Sequence, residues 1–128
     1  MHYLIENTIA TEIVDICFHI HKKLGPGLLE SVYEEILAYE IAKSNYFAKR
    51  QVPIPLIYDS IKLNLGFRAD LIIENKVIIE VKAIEVILPV HKMQLLTYLK
   101  ITGLKLGLLI NFNTQTIKEG ITRVVNRL

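Results

Sequence analysis

The chain has 128 residues, 52% of them hydrophobic and 22% charged, which is enough for one packed core and too little for two ordinary domains. A chain disordered in its main state is excluded, because such chains lack the apolar surface that offsets ordering entropy. Lysine plus arginine total 15 against 13 aspartate plus glutamate, a net charge of +2, which admits a nucleic-acid partner without arguing for one.

Ile9, Ile13, Ile16, Ile20 and Leu24 recur at helical spacing and predict a first helix from Thr8, a candidate cap, to Leu24. Cys17 falls within that stripe, reads as a buried thiol and has no partner for an internal disulfide, in keeping with a reducing cytoplasm. The start, Met1 to Glu6, lacks a basic segment followed by an apolar one, and no uncharged apolar run is long enough for a bilayer, so a cytoplasmic protein without a membrane span is expected. Gly25-Pro26-Gly27 breaks the helix, and a second is predicted from Leu28 to Ser44.

The stretch Gln51 to Tyr58 is extended, with Pro53 and Pro55 confining it to an edge or an irregular strand. Phe67–Ile73 and Val77–Val81 are β-branched and apolar, and Glu74-Asn75-Lys76 between them reads as a hairpin turn. A third helix is predicted over Pro89–Ile101, apolar all round and therefore deeply buried; strands follow at Leu104–Phe112 and Ile121–Val125. The expectation is one α/β domain over residues 1–128, a mixed central sheet flanked by helices in the order α-α-β-β-β-α-β-β.

Asp70, Glu80 and Lys82 interrupt the hairpin, where charge is expensive in strands covered on both faces. With Glu74, Asn75 and Lys76 all unpaired, Asp70 lies opposite Glu80 on one face, and Lys82 joins them by alternation. A two-residue turn would instead oppose Asp70 to Val81 and dismantle the group. Two close carboxylates suit a hard cation such as Mg²⁺, and a neighbouring lysine can stabilise a phosphoryl oxyanion. The alternative is an ion pair on an exposed face. Glu30 projects at the border of the second helix's apolar arc, between Leu37 and Ile41, whereas Glu34 and Glu35 read as solvated charges. Gln94 and Tyr98, at i and i+4, cluster with His91 on one side of the third helix; they serve either a site or the core's own polar groups. Arg68 could clamp a phosphate if no bulge turns it from the face of Asp70. His21 reads as a helix-terminal residue interacting with the dipole, and His19 and His21 point apart, against a zinc pair.

Asp70 followed by Glu80-Val81-Lys82 resembles the D…ExK signature of the PD-(D/E)XK nuclease superfamily, with Ala69 at the position of the proline in its name. Gly27, Glu30 and Tyr33 within Leu24–Tyr33 match the fixed letters of the GxxExxY protein family. Gly66-Phe67-Arg68-Ala69-Asp70, Gln94 to Tyr98 and Gly107 to Phe112 are also similar to it. The resemblance implies a restriction-endonuclease-like fold and metal-dependent phosphodiester hydrolysis of nucleic acid, DNA above RNA. It implies Asp70, Glu80, the Val81 carbonyl and Glu30 as ligands of Mg²⁺ or Mn²⁺, with Lys82 catalytic. Gln94, Tyr98, Arg68 and Tyr33 would lie on the substrate side, the first two as the QxxxY element of RecB-like nucleases.

A rival expectation is a module that binds nucleic acid or protein without turnover, alone or within a larger complex, because a charge of +2 pulls weakly on a polyanion and the chain has little surface for target recognition. Gathering of Lys22, Lys23, Lys43, Lys49, Arg50, Arg123 and Arg127 at the site mouth would favour nucleic acid, and dispersal a protein or a small phosphorylated ligand. The high hydrophobic fraction also raises a homodimer.

Overall fold

The computed structural model describes residues 3–64 and 66–128; Met1 and His2 of the amino-terminal stretch lie outside them. The elements are α1 (Tyr3–Leu24), α2 (Glu30–Lys43), β1 (Ala48–Pro53), β2 (Leu56–Tyr58), β3 (Ile61–Leu63), β4 (Arg68–Ile73), β5 (Val77–Lys82), α3 (Pro89–Thr102), β6 (Leu106–Asn111), α4 (Ile117–Gly120) and β7 (Ile121–Val125). Five strands form one sheet in the order β1-β4-β5-β6-β7, in which only β5 and β6 run parallel, and β2 and β3 pair separately. This is the expected mixed sheet between helical layers.

Two apolar clusters hold the layers together. On one face Ile13, Cys17 and Ile20 of α1 and Tyr33, Leu37 and Ile41 of α2 cover Leu71, Ile73, Ile79, Val81, Leu108 and Ile110. On the other, Leu95, Tyr98 and Leu99 of α3 cover Ile72, Ile78 and Leu109. Both faces of β4 and β5 are covered, as their two-sided isoleucine and valine require. Burial pushes the Cys17 thiol up, keeping it protonated and inert. Among the described residues no helix is long and apolar enough to cross a membrane.

Several elements depart from expectation. Helix α1 begins at Tyr3, so Thr8 lies inside it rather than capping it; nothing between Tyr3 and Asn7 breaks a helix. The extended segment is two strands, because Ile54-Pro55 leaves the ladder and the Ile54 amide turns to the Phe67 carbonyl at 2.8 Å. Its second strand, β2, pairs with β3 as a separate hairpin, and α4 is a short helix among polar residues, so the order carries three elements more than expected. Helix α3 is not deeply buried: Val90 and Met93 are exposed, because α3 is, among the described residues, the one helix in the cluster on its face of the sheet and its outer side is left to solvent.

Two glycines set the approach of helices to β6. A Cβ at Gly107 would lie 2.8–2.9 Å from the Leu95 side chain, and one at Gly120 would lie 2.0 Å from the Asn111 carbonyl oxygen. Gly120→Ala is therefore expected to destabilise at or beyond the upper end of the roughly 1–3 kcal/mol typical of overpacking. Gly107→Ala should cost less, since a side chain yields where a main-chain carbonyl does not. Urea-unfolding midpoints check this order, and a reversal would refute the packing account.

Candidate active site

The hairpin register puts the acidic pair together. Ile73↔Val77, Ile72↔Ile78 and Leu71↔Ile79 are paired, leaving Glu74-Asn75-Lys76 as the turn and Asp70 next in line across from Glu80. Glu74 and Asn75 both take positive φ, at 53° and 54°, which lets three residues reverse the chain. Ladder pairing then stops. The Asp70 amide donates to Glu80 Oε2 at 2.7 Å, and the Val81 amide donates to Asp70 Oδ2 at 2.8 Å. Each carboxylate thus takes a main-chain donor of the neighbouring strand.

The ladder is interrupted on the other side of Asp70 as well. Arg50↔Leu71 and Val52↔Ala69 are paired, but Gln51, across from Asp70, has φ 50° and stands outside the ladder. Ala69 packs with the α3 cluster and Leu71 with the α1–α2 cluster, although residues two apart on a regular strand share a face. Asp70 sits where the alternation breaks, so it does not carry Arg68 with it. Arg68 is exposed and lines a cavity of about 260 Å³ with Pro53, Ile54, Pro55, Gly66 and Phe67 at the base of the β2–β3 hairpin.

Helix α2 lies over the pair with two carboxylates one turn apart. Glu30 is half-buried, at the core margin as expected. Glu34, read as solvated, is instead buried: it accepts from Arg50 at 3.1 Å and from Gln51 Nε2 at 2.9 and 3.1 Å. Gln51 Nε2 also reaches Asp70 Oδ1 at 3.4 Å, joining Arg50, Glu34, Gln51 and the acidic pair in one polar chain. The sequence signal for Glu34 was weak: a carboxylate beside the buried Tyr33, whose partners come from a strand about sixteen residues away.

Burial pushes the Asp70 carboxyl up to about 6, the Glu34 and Glu30 charges adding to it, while the Val81 amide and Lys82 pull the other way. Burial and then the Asp70 charge push Glu80 up to about 8, against the Asp70 amide and Lys82. The pair therefore shares a proton near neutrality, as two coupled carboxyls do. Lys82 follows at the end of β5, half-buried, level with Asn111 on β6. Asn111 is buried; its side chain accepts from the Ile84 amide at 3.1 Å and donates to the Ile84 carbonyl at 2.9 Å, fixing the chain just beyond Lys82. Within the segment Gly107 to Phe112 nothing in the residue pattern marks Asn111 for this role.

Gly27 and Tyr33 build the approach to Glu30. Gly25 and Gly27 take φ 65° and 105°; the Tyr33 hydroxyl donates to the Gly25 carbonyl at 2.5 Å and accepts from the Leu28 amide at 3.2 Å. The ring is fully buried and stacks on Phe112 at 4.5 Å. Tyr33, expected at the substrate, is therefore a loop clamp: its ring has no exposed surface and its hydroxyl is engaged on both sides. His21, expected only to interact with the helix dipole, bonds through Nε2 to the Thr114 carbonyl at 2.9 Å, tying α1 to the chain after β6.

On α3, Gln94 is exposed and donates to the buried Tyr98 hydroxyl at 3.1 Å. Together with Leu56, Phe67, Thr97 and Ile101 they line a cavity of about 240 Å³. Burial pushes the Tyr98 phenol up, and the Glu80 charge adds to it, so Tyr98 lies within the field of the site. His91 does not join this cluster but accepts the Leu88 amide at 2.9 Å, capping α3. The cations named from sequence are dispersed. Arg50 is bound by Glu34 and Glu35, Arg123 by Asn7, Lys43 and Lys49 rest over the Tyr39 and Phe47 rings, and Arg127 lies at the far end of the sheet.

The donor chemistry of Asp70 and Glu80 suits a hard divalent cation, because two buried like charges are relieved by one placed between them. Among the described residues no three His, Cys, Asp or Glu side chains come close enough to hold a metal, so Glu30 stands in the field of Asp70 without completing a set with it. Val81 gives its amide to Asp70, and its side chain belongs to the core. Both strand carboxyls hold a proton more tightly folded than unfolded, Asp70 between 3.8 and about 6 and Glu80 between 4.5 and about 8. Their contribution to stability is complete below the lower values and is lost as pH rises through the upper ones. The thermal midpoint of metal-free protein should therefore fall from pH 5 to pH 8, Glu80→Gln should flatten that fall, and millimolar Mg²⁺ should reverse it at pH 8 more than at pH 5. A metal-free profile that is level or rises over this range would contradict the assignment.

The architecture and the hairpin that carries the pair agree with the comparison of the whole chain with protein families. No curated protein and no solved structure matches the chain. The model of the PD-(D/E)XK nuclease superfamily matches residues 7–124, from α1 to β7, enclosing every residue of the site just described. The fold is restriction-endonuclease-like, and the chain belongs to the PD-(D/E)XK nuclease superfamily.

Proposed function

We propose that the protein is a metal-dependent nuclease that hydrolyses phosphodiester bonds, with DNA as the expected polymer. Superfamily membership supports nuclease chemistry and the use of a divalent metal. The observation that carries the reading is the reciprocal bonding of Asp70 on β4 and Glu80 on β5 to each other's strand, which holds two mutually repelling carboxylates side by side toward the carboxyl end of β5, the end at which open α/β sheets bind ligands. Asp70 and Glu80 would hold Mg²⁺ or Mn²⁺, with Glu30 and the Val81 carbonyl as the further candidates. A divalent cation so held supplies water activation and neutralisation of phosphate charge.

The chain's own groups do the rest. Lys82 presents an ammonium beside the pair, able to donate to a phosphoryl oxygen as charge develops on it. Asn111 fixes the backbone just after Lys82, and Gln51 and Glu34 orient Asp70. Gln94 and Arg68 are exposed, line neighbouring cavities that share Phe67, and suit contacts to the polymer. Gly27, Glu30 and Tyr33 favour assignment to the GxxExxY family within the superfamily, their glycine and tyrosine shaping the loop that delivers the glutamate.

A second reading, a binding module without turnover, alone, as a dimer or in a larger complex, is favoured by two observations. The acidic side chains form no three-member metal group among the described residues, and the cations named from sequence are dispersed. Cleavage of labelled single-stranded and duplex DNA and RNA with Mg²⁺ or Mn²⁺ separates the readings. Turnover that depends on metal, falls by at least about 10²-fold in both Asp70→Ala and Lys82→Ala, and leaves their unfolding midpoints near wild type is the expected result. Activity surviving in both variants would reject the site, and none in any sample would leave the binding module.

A further inference from the structure

At the end of the sheet away from Asp70 and Glu80, Lys100, Gly103, Lys105, Asn126 and Arg127 line a cavity of about 480 Å³. The place is built rather than incidental. The Asn126 side chain donates to the Leu104 carbonyl at 3.0 Å and to the Leu99 carbonyl at 3.4 Å, and its amide donates to the Lys105 carbonyl at 2.8 Å. These bonds lock the end of α3 to the chain after β7, with Gly103 at φ 77° and Arg127 held at φ 59°, a region an arginine rarely adopts. Three cations line the cavity and no carboxylate side chain does; among the described residues none of the three makes an ion pair.

The surroundings have the same sign. Helices α1 and α2 carry seven carboxylates against three lysines, whereas α3 carries Lys92 and Lys100 and no carboxylate. From Val86 to Leu128 the sole acidic side chain is Glu119, against six Lys and Arg. Of these, Lys118 on α4 and Arg123, bonded to Asn7, lie on the α1 side, so the basic character around the cavity comes from Lys92 and Lys100 of α3 with Lys105 and Arg127.

We infer that this cavity is a second phosphate-binding site, which takes a backbone phosphate of a polynucleotide lying along α3 while another phosphate of the same strand lies at Asp70 and Glu80. The inference rests on the nucleic-acid reading above, though not on turnover. Glu80 is level with Leu109, and Lys105 directly precedes Leu106. At about 3.3 Å per residue, with a sideways step across β5 and β6, the two places are on the order of 15 Å apart. At about 3.4 Å per nucleotide for a strand wound as in a duplex, and more for an extended one, that is at most four or five nucleotides. Gln94 and Thr97 lie on α3 between the two ends and line the cavity beside Tyr98, so a strand crossing the helix passes over polar groups.

Fluorescence anisotropy of labelled single-stranded DNA of about 3 and about 12 nucleotides, with the intact protein and Ca²⁺ present to neutralise the acidic pair, reads binding, and gels of the same samples report any cleavage separately. The longer strand should bind at least about tenfold tighter. Lys100→Glu with Arg127→Glu should remove that advantage and lower the slope of log affinity against log salt by about 1. Lys22→Glu with Lys23→Glu, on α1, should preserve both. Lys100→Gln alone, which introduces no new charge, should lose part of the advantage without a change in unfolding midpoint. Equal binding of the two lengths with equal competition by inorganic phosphate would make the cavity a site for free anions and overturn the inference. So would absence of binding, or equal loss in the α1 variant. Binding as described with no cleavage under any metal would refute the nuclease reading alone; cleavage and binding both indifferent to Lys100 and Arg127 would refute this one alone.

Discussion

Two carboxylates take the place of ladder hydrogen bonds at one point of the sheet, and the organisation of the site follows from that exchange. A buried main-chain amide must have a partner. At the level of Asp70 and Glu80 the partners are side-chain oxygens, so neither carboxylate can leave without stranding an amide of the adjacent strand. The acids are held by the same kind of bond that holds the sheet, and so they share its rigidity. Preorganisation of this kind keeps charged groups where solvent relaxation would otherwise disperse them.

The remaining polar groups limit the electrostatic strain that results. Arg50 compensates Glu34, leaving Gln51, a neutral side chain, as the link to Asp70. Lys82 acts on both acids from the end of β5, and backbone amides stabilise each. What is left over is one excess negative charge shared by the pair near neutral pH. A core of this size could have filled these positions with aliphatic residues at less cost, and the arrangement makes physical sense as a receptor for positive charge.

The hairpin was legible in the sequence because register depends on a count. Three turn residues, Glu74 to Lys76, oppose Asp70 to Glu80, whereas a two-residue turn would oppose Asp70 to Val81 and leave the charges without a common face. The α1 and α2 faces were legible for the same reason, their isoleucines and leucines repeating at helical spacing. Glu34 was not, since the feature that buries it, Arg50 and Gln51 on an edge strand, is remote in sequence and depends on a positive φ at Gln51 that glutamine does not advertise. Tyr33 was misplaced because a tyrosine in a functional motif and a tyrosine closing a turn look alike until both partners of its hydroxyl are known. The exposure of α3 was hidden for another reason. Apolar periodicity reports how much of a helix could be buried, whereas the number of layers above it decides how much is.

The kink at Gln51 has a consequence unrelated to chemistry. Strand β1 is an edge, and a flat edge offers unpaired amides and carbonyls to any extended chain, including another copy of this one. With Gln51 out of line and Pro53 two residues later, β1 cannot present a straight run of donors and acceptors. The distortion that aims a side chain at Asp70 thus also blunts a template for strand addition. A variant that straightened β1 would lose more than the orientation of one aspartate: it would gain an adhesive border, and its first symptom would be aggregation.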